Sequence, residues 1–295
     1  MVPGGPSVLY AEPGLRPEDI QRLIEHYGLD KPLYVQYVVF LKGMFSGDFG
    51  RSFQYKVPAL EVLGYRMWNT LILAGVSFVF AYSFGITMGV LLTRFRGKIV
   101  DRVIMVSSFV VRSTPTFWVA MVFIMFFSFT LWWFPHAGMH EPGFIAGDFF
   151  HNYFSIDFLR HLFLPVLVDF VYFFSFPMLI LRNTMLQIQG DDFVELARAK
   201  GLSTNQVLFK HVMRNALLPI VTLMSTYVGM ALSGAPALEY VFSWPGLGNE
   251  LLLSVTRADY PVAQAAFFLL AVTTTVMNLV ADLLYGYLDP RVVYK

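Results

Sequence analysis

Five apolar stretches occupy most of the chain from residue 69 to the C-terminus. The first reads NTLILAGVSFVFAYSFGITMGVLLT, 25 residues without a formal charge, and at about 1.5 Å per helical residue it can cross a hydrocarbon core of roughly 30 Å. The later stretches carry isolated charges and prolines. The pattern predicts an all-α, polytopic integral membrane protein with spans at about residues 69–93, 103–134, 162–186, 216–237 and 262–288.

Residues 1–68 follow a different pattern, in which prolines and charges of both signs are scattered among short apolar stretches. Pro17 is typical of the first turn of a helix that ends near Gly28, and Pro32 predicts a second helix that runs to about Phe45. Both helices are too short or too polar to span a membrane. We therefore predict an extracytoplasmic N-terminal region at 1–68 and a transmembrane region at 69–295.

Lysine and arginine are concentrated in two of the loops between these spans. Loops 94–102 and 187–215 hold four basic residues each, whereas loops 135–161 and 238–261 hold only Arg160 and Arg257. Because cytoplasmic loops carry the positive excess, the basic loops and the C-terminus are predicted inside and residues 1–68 outside. An exported N-terminal region needs a targeting segment, so we expect a sixth, N-terminal span upstream of Met1.

The composition agrees with a membrane protein and excludes several other classes. Hydrophobic residues make up 56% of the chain, charged residues only 14%, and the mean hydropathy is +0.58. A net charge of +1 provides no basic excess for binding nucleic acid, and the high apolar content excludes intrinsic disorder. The absence of cysteine excludes disulfides, thiolate metal sites and cysteine nucleophiles.

The loop at 187–215 has the pattern of two short helices rather than of a hairpin turn. Asp192 is placed to cap the first helix, with Glu195 at capping-box spacing, and Lys200 and Gly201 suit its C-terminal end. Ser203 and Gln206 repeat the capping-box spacing for the second helix. A compact helix at the mouth of a bundle predicts a docking element for a soluble partner.

The segment ELARAKG at 195–201, continued by LSTNQVLFKHVMRNALLP, resembles the cytoplasmic coupling loop of ABC importer permeases. Glu195, Ala197 and Gly201 match the family pattern, while Leu196 replaces its first alanine. The late position of the Leu-Pro pair is similar to the peptide and nickel branch of the family. So are the stretches YGLDKPLYVQYVVFLKGMFSGDFGRSF, EYVFSWPGLGNELL, RADYP and DLLYGYLDPR, and the resemblance covers almost the whole chain.

The resemblance implies a helix bundle of the type I importer kind, acting by alternating access in a bacterial or archaeal cytoplasmic membrane. It implies three kinds of protein partner: a second homologous permease subunit, two cytoplasmic ATP-binding subunits and an extracytoplasmic substrate-binding protein. Di- and oligopeptides are the favoured substrate, with nickel and oligosaccharides left open. The ATPase-coupling residues would be Asp192, Glu195, Ala197, Arg198, Lys200 and Gly201.

ATP hydrolysis is expected in the partner subunits, because the chain has no GxxxxGK[ST] sequence to bind phosphates. No catalytic residue or cofactor is predicted in this chain. His136, His140, Glu141 and His151 share one predicted outer loop, but they lack a clear helix that would set ligand spacing, so no metal site is predicted either.

Two ionisable residues, Arg112 and Asp169, lie at similar depths within predicted spans. Charged groups at that depth usually face a bundle interior or a cavity. We interpret them as possible pathway-lining residues that could pair with each other, with a structural polar contact as the alternative. Arg182, near a cytoplasmic span end, is interpreted as structural. Gly85 and Gly89 form a GxxxG pattern that indicates close helix packing.

Two other functions are alternatives to an ATP-driven permease. An ion-driven secondary transporter predicts broken helices and midplane carboxylates within an internal repeat, and only Asp169 fits that pattern. A membrane-embedded hydrolase needs a nucleophile and a base on facing spans. All six histidines fall in loops or at span ends, and no GxSG sequence is present.

Overall fold

A computed structural model describes Glu18 and residues 31–145, 147–217, 219–220 and 236–288. The helices in chain order are α1 (Leu33–Ser46), α2 (Ala59–Arg94), α3 (Ile99–Ser113), α4 (Thr116–Phe123), α5 (Phe149–Phe154), α6 (Ile156–Phe173), α7 (Ser175–Ile188), α8 (Asp192–Ala199), α9 (Thr204–Gln206), α10 (Met213–Ala216), α11 (Pro236–Val241), α12 (Leu247–Thr256) and α13 (Tyr260–Leu288). Two π-helical segments, Ile124–Thr130 and Val207–Val212, continue α4 and join α9 to α10. The fold is helical, as the sequence predicts.

Three helical stretches are long and apolar enough to cross a membrane, namely Ala59–Arg94, Ile156–Ile188 and Tyr260–Val280. They overlap the predicted spans at 69–93, 162–186 and 262–288. The predicted span at 216–237 lies mostly outside the described residues, as does the helix predicted from Pro17 to Gly28. The helix predicted after Pro32 is confirmed as α1.

The predicted span at 103–134 is broken rather than continuous. Helices α3 and α4 meet at a bend of 105°. Pro115 has no backbone N–H to donate, and Thr114 before it adopts an extended conformation with φ −94° and ψ 137°. A residue that precedes proline disfavours the helical conformation, which explains a break at this position. The two halves count as one span only if the bent pair crosses the membrane together.

The chain forms two compact units. One unit is formed within residues 1–66 and by Glu250–Phe268, and the other within Met67–Asn249 and Leu269–Lys295. In the first unit, the Asp259 carboxylate accepts hydrogen bonds from Ser52 Oγ at 2.5 Å and from the backbone N–H groups of Phe53 and Gln54 at 3.2 Å each. Arg66 Nε lies 2.9 Å from Glu250 Oε2 in the same unit.

The second unit contains two buried apolar clusters. One joins α2 and α7 to the loop helices α8 and α10, and its fully buried members include Leu181, Met185 and Val194. The other joins α2, α4, α6 and α11 around Phe158 and Trp244. The loop that follows α7 is therefore packed on the helix bundle through its own apolar residues.

Helices α2 and α7 approach closely at the two glycines of the GxxxG pattern. A Cβ added at Gly85 would lie 2.4 Å from the Phe174 carbonyl oxygen, and one at Gly89 would lie 2.9 Å from the Met178 carbonyl oxygen. Both distances are far below van der Waals contact, so only glycine fits. The predicted packing role of Gly85 and Gly89 is confirmed.

Candidate functional site

Helix α8 is amphipathic, and its apolar side packs on the rest of the second unit. Val194 and Ala197, three residues apart on one face, are buried in a cluster with Met185, Val207 and Val212. The other α8 residues are exposed. The small side chain of Ala197 allows this short helix to lie close to its neighbours, so Ala197 shapes the element from within rather than forming its outer surface.

A Schellman motif ends helix α8. The N–H of Gly201 donates to the Arg198 carbonyl at 2.9 Å, and the N–H of Leu202 donates to the Ala197 carbonyl at 3.4 Å. Gly201 has φ +80°, the left-handed conformation in which a Cβ is unfavourable. The Leu202 side chain packs against the same cluster as Val194. The predicted role of Gly201 at the helix terminus is confirmed, and it directs the chain into α9.

The two predicted helix starts in this loop have different outcomes. The cap predicted at Asp192 is wrong, because Asp191 is the N-cap residue and makes no side-chain capping hydrogen bond. Two consecutive aspartates offer the same signal, and α8 begins one residue earlier than the capping-box spacing requires. The Ser203 and Gln206 capping box is confirmed, with Ser203 N–H donating to Gln206 Oε1 at 2.9 Å.

The outer surface of α8 combines apolar and charged side chains. Leu196 is 57% exposed and Phe193 is 40% exposed. Exposed charged residues surround them: Asp192, Glu195, Arg198 and Lys200. We call the six residues Asp192, Phe193, Glu195, Leu196, Arg198 and Lys200 the coupling surface. A protruding apolar pair within a charged rim is the arrangement that a protein interface uses at its centre and edge.

A buried ion pair supports the bundle beside this loop. Arg182 on α7 donates from Nε to Asp101 Oδ1 and from Nη2 to Asp101 Oδ2, both at 2.7 Å. Asp101 on α3 is 2% exposed and also accepts from the Gly97 N–H at 3.0 Å. Arg182 is 9% exposed, so it does not extend to water as snorkelling requires. Its predicted structural role takes the form of an interhelical ion pair.

The two predicted pathway residues are not brought together. Arg112 stacks on the ring of Phe176, with its Cζ 3.4 Å from the ring centroid. Asp169 on α6 is 6% exposed, and its Oδ1 accepts no close hydrogen bond from the described residues, although the Ser77 hydroxyl lies beside the carboxyl. No ion pair joins Arg112 to Asp169 within the described part of the chain. Asp169 is therefore a buried carboxyl that does not rely on Arg112.

Sequence reasoning also missed the buried carboxyl of Glu239, at the start of the EYVFSWPGLGNELL stretch. Its oxygens accept from Thr70 Oγ1 at 2.6 Å and from the Asn249 N–H at 2.9 Å. Burial raises the pKa of Glu239 to about 6. A Cβ at Gly246 would lie 2.4 Å from a Glu239 oxygen, so the glycine allows the Pro-Gly-Leu-Gly turn to close around the carboxyl. The sequence feature that could have indicated this buried carboxyl is the glutamate shortly before the Pro-Gly-Leu-Gly turn.

Comparison with known proteins extends the resemblance that the sequence shows. Residues 81–294 match the protein family described as binding-protein-dependent transport system inner membrane component.

Curated relatives match almost the whole chain. The oligopeptide transport system permease protein AppB of Bacillus subtilis (strain 168) is 37% identical over 99% of this chain and 90% of its own length. The dipeptide transport system permease protein DppB of Escherichia coli (strain K12) is 36% identical over 100% of this chain and 91% of its own. The di/tripeptide transport system permease protein DppB of Pseudomonas aeruginosa (strain UCBPP-PA14) is 35% identical over 99% and 90%.

Solved structures show the same fold at low sequence identity. A chain of the MetNI methionine ABC transporter in an inward-facing conformation aligns with a TM-score of 0.58 at 18% identity, covering 78% of this chain and 97% of that one. A chain of a bacterial ABC transporter involved in the import of alginate aligns with a TM-score of 0.55 at 15% identity, covering 92% and 98%.

Proposed function

The chain belongs to the family of binding-protein-dependent transport system inner membrane components, and we propose that it is the permease subunit of an ATP-driven importer of di- and oligopeptides. The proposed substrate class is supported by one observation: 99–100% of the chain matches relatives named as oligopeptide, dipeptide and di/tripeptide permeases. ATP-dependent peptide uptake by the reconstituted transporter tests this proposal.

The coupling surface is the proposed contact with the ATPase. The exposed Leu196 and Phe193 form an apolar knob, and the buried Val194 and Ala197 fix that knob to the helix bundle. Movement of an ATPase groove that holds the knob would therefore move α7 and α8 together. This link supports alternating access, in which ATP-bound and ATP-free partners favour different arrangements of the bundle.

The orientation of the chain follows from the same proposal. The coupling surface faces the cytoplasm, where ATP is available, and the basic loops at 94–102 and 187–215 lie on that side. Residues 1–68 then lie outside and the C-terminus inside. The two loops meet at Arg94, whose Nη1 lies 3.3 Å from Asn205 Oδ1.

The proposed complex contains this chain, a second homologous permease subunit, two ATP-binding subunits and an extracytoplasmic binding protein. One coupling surface for each ATP-binding subunit requires two permease subunits, which together enclose the path. ATP hydrolysis takes place in the ATP-binding subunits, and the binding protein delivers the peptide.

Asp169 and Arg112 are proposed to line the path between the two permease subunits. The Asp169 carboxyl has the Ser77 hydroxyl beside it, but its buried Oδ1 accepts no close hydrogen bond from the described residues. Such an oxygen is costly in an apolar environment unless water or a substrate reaches it. Arg112 is half-buried and offers a guanidinium on the face of Phe176. Both groups could bind the peptide backbone or its charged termini by hydrogen bonds.

Replacing Asp169 with leucine is expected to lower the uptake rate by about tenfold, equivalent to about 1.4 kcal/mol in the barrier to transport. The measurement is peptide uptake per membrane-inserted permease, which separates transport from insertion. Arg112→Leu provides the second variant, and Phe117→Leu, at an exposed apolar position, serves as the control. Normal uptake by both the Asp169 and the Arg112 variants would show that neither residue lines the path.

A further inference from the structure

A cluster of carboxylate and imidazole groups lies where the loop before α5 meets the first turns of α6. Glu141 comes from the loop, and Asp157 and His161 come from α6. Each offers one ligand atom, and these three atoms all lie within 4.8 Å of one another. Asp157 and His161 are four residues apart, so they share one face of the helix. The cluster is separate from the coupling surface and from the proposed path residues.

The distance between the ligand atoms of His161 and Asp157 suits a small metal ion. His161 Nδ1 lies 3.4 Å from Asp157 Oδ1. In a tetrahedral site with metal–ligand bonds of about 2.0–2.1 Å, neighbouring ligand atoms are about 3.3–3.4 Å apart. His161 Nδ1 also lies 2.9 Å from the backbone carbonyl oxygen of Asp157. Because a carbonyl oxygen only accepts, Nδ1 carries the imidazole proton in this contact, and a metal ion that binds at Nδ1 must displace that proton. The carbonyl itself keeps its partner in the hydrogen-bond ladder of α6.

The Asp157 carboxylate is held in place by hydrogen bonds from the preceding loop. His140 Nδ1 lies 2.8 Å from Asp157 Oδ2, and the Glu141 N–H donates to Asp157 Oδ1 at 3.2 Å. The His140 ring is stacked on Phe144, with centroids 3.8 Å apart and planes 4° from parallel. Metal-binding carboxylates are commonly oriented by such hydrogen bonds. Asp157 therefore needs little rearrangement to bind an ion.

We propose that Glu141, Asp157 and His161 bind a divalent transition-metal ion, with Zn²⁺ as the representative ion. One imidazole nitrogen and two carboxylates favour zinc-like ions over Mg²⁺ and Ca²⁺, which prefer oxygen ligands. Three protein ligands leave a fourth position for water or for a further ligand. The bound ion fastens the loop around Glu141 to the start of α6.

The sequence alone predicted no metal site. That prediction was based only on His136, His140, Glu141 and His151 of one loop. The structure instead brings Glu141 to two residues of the following helix. His136, which was part of the loop set, contacts Phe129 with the ring planes tilted by 36° and the centroids 5.3 Å apart, and it is not part of the cluster. Of the loop set, only His140 and Glu141 take part, and His140 acts by orienting Asp157.

The test measures Zn²⁺ binding by the full-length chain in detergent micelles, purified with a histidine-free tag and stripped of metal. Calorimetric titration should show one ion per chain, and Co²⁺ should give the visible absorption bands of a four-coordinate site. Glu141→Gln, a change at an exposed side chain, should weaken Zn²⁺ binding at least tenfold. Asp157→Asn should weaken it further, while His136→Asn should leave it unchanged.

Several results would overturn the proposal. If the wild-type chain binds no stoichiometric Zn²⁺, the cluster is only a set of hydrogen bonds that holds the loop. If Glu141→Gln binds Zn²⁺ with unchanged affinity, or if His136→Asn loses as much affinity, the ion is bound elsewhere. Thermal unfolding of each variant without metal distinguishes a lost ligand from a lost fold, because only a lost ligand leaves the metal-free midpoint in place.

Discussion

Replacing Leu196 with aspartate is expected to abolish coupled transport while leaving the permease inserted and folded. Leu196 is 57% exposed at the centre of the coupling surface, so the change does not disturb the buried contacts of Val194 and Ala197. In the proposed complex it places an unpaired charge in an apolar contact, at a cost of about 2–4 kcal/mol, which corresponds to an affinity loss of roughly 30-fold to 1,000-fold. The measurement is co-purification of the ATP-binding subunits with the tagged permease, together with substrate-stimulated ATPase activity.

Two further variants test whether assembly depends on the position of the added charge and on the backbone shape at the end of α8. Tyr240→Asp makes a similar change at another exposed position, 51% exposed on α11, and should retain the ATP-binding subunits. Gly201→Val should also weaken assembly, because a β-branched residue at φ +80° is strained even though no atom lies within 4 Å of an added Cβ. A Leu196→Asp permease with normal assembly and normal stimulated ATPase activity would show that α8 is only a connection.

Replacing Arg182 with methionine is expected to cause the largest loss of stability among single substitutions at the described polar residues. Asp101 would keep its buried position but would lose both hydrogen bonds from the guanidinium, each 2.7 Å long. Breaking one partner of a buried ion pair costs about 3–5 kcal/mol. The measurement is the thermal unfolding midpoint in detergent, with Arg198→Met as the control because Arg198 is exposed.

The double variant Asp101→Leu with Arg182→Met tests the physical reason for this effect. When both charges are removed, no buried charge is left unpaired, so most of the lost stability should return. If the double variant is as unstable as the sum of the two single variants, the pair does not interact. If Arg182→Met unfolds at the wild-type midpoint, the guanidinium is not needed to compensate the buried Asp101 charge.

Local features of this chain could be predicted from the sequence because the residues that determine each feature are close together along the chain. The left-handed Gly201 and the Ser203–Gln206 capping box depend on residues within one or two helical turns. The long apolar stretches give helices for the same reason. Asp191 and Asp192 mark the limit of such reasoning, since two neighbouring aspartates carry the same capping signal and the sequence does not distinguish which of them is the N-cap.

Features that depend on long-range contacts could not be predicted in the same way. The partner of Arg182 is 81 residues away in sequence, and Thr70 is 169 residues from Glu239. The break in the second predicted span has a local cause at Pro115, but its 105° angle cannot be read from a hydropathy pattern. The metal-site candidate was missed because Glu141, Asp157 and His161 were all assigned to one loop at 135–161, whereas the structure places Asp157 and His161 four residues apart on the first turns of α6.

The central claim, that this permease subunit imports peptides at the expense of ATP, is tested most directly by uptake into proteoliposomes. The vesicles would contain this chain, the second permease subunit and the ATP-binding subunits, with the binding protein outside and ATP inside. Labelled di-, tri- and oligopeptides should accumulate only with ATP and binding protein, and Leu196→Asp should reduce accumulation to the level without ATP. Uptake of peptides that is driven by an ion gradient without ATP, or no uptake of any peptide by an assembled complex that hydrolyses ATP, would contradict the account.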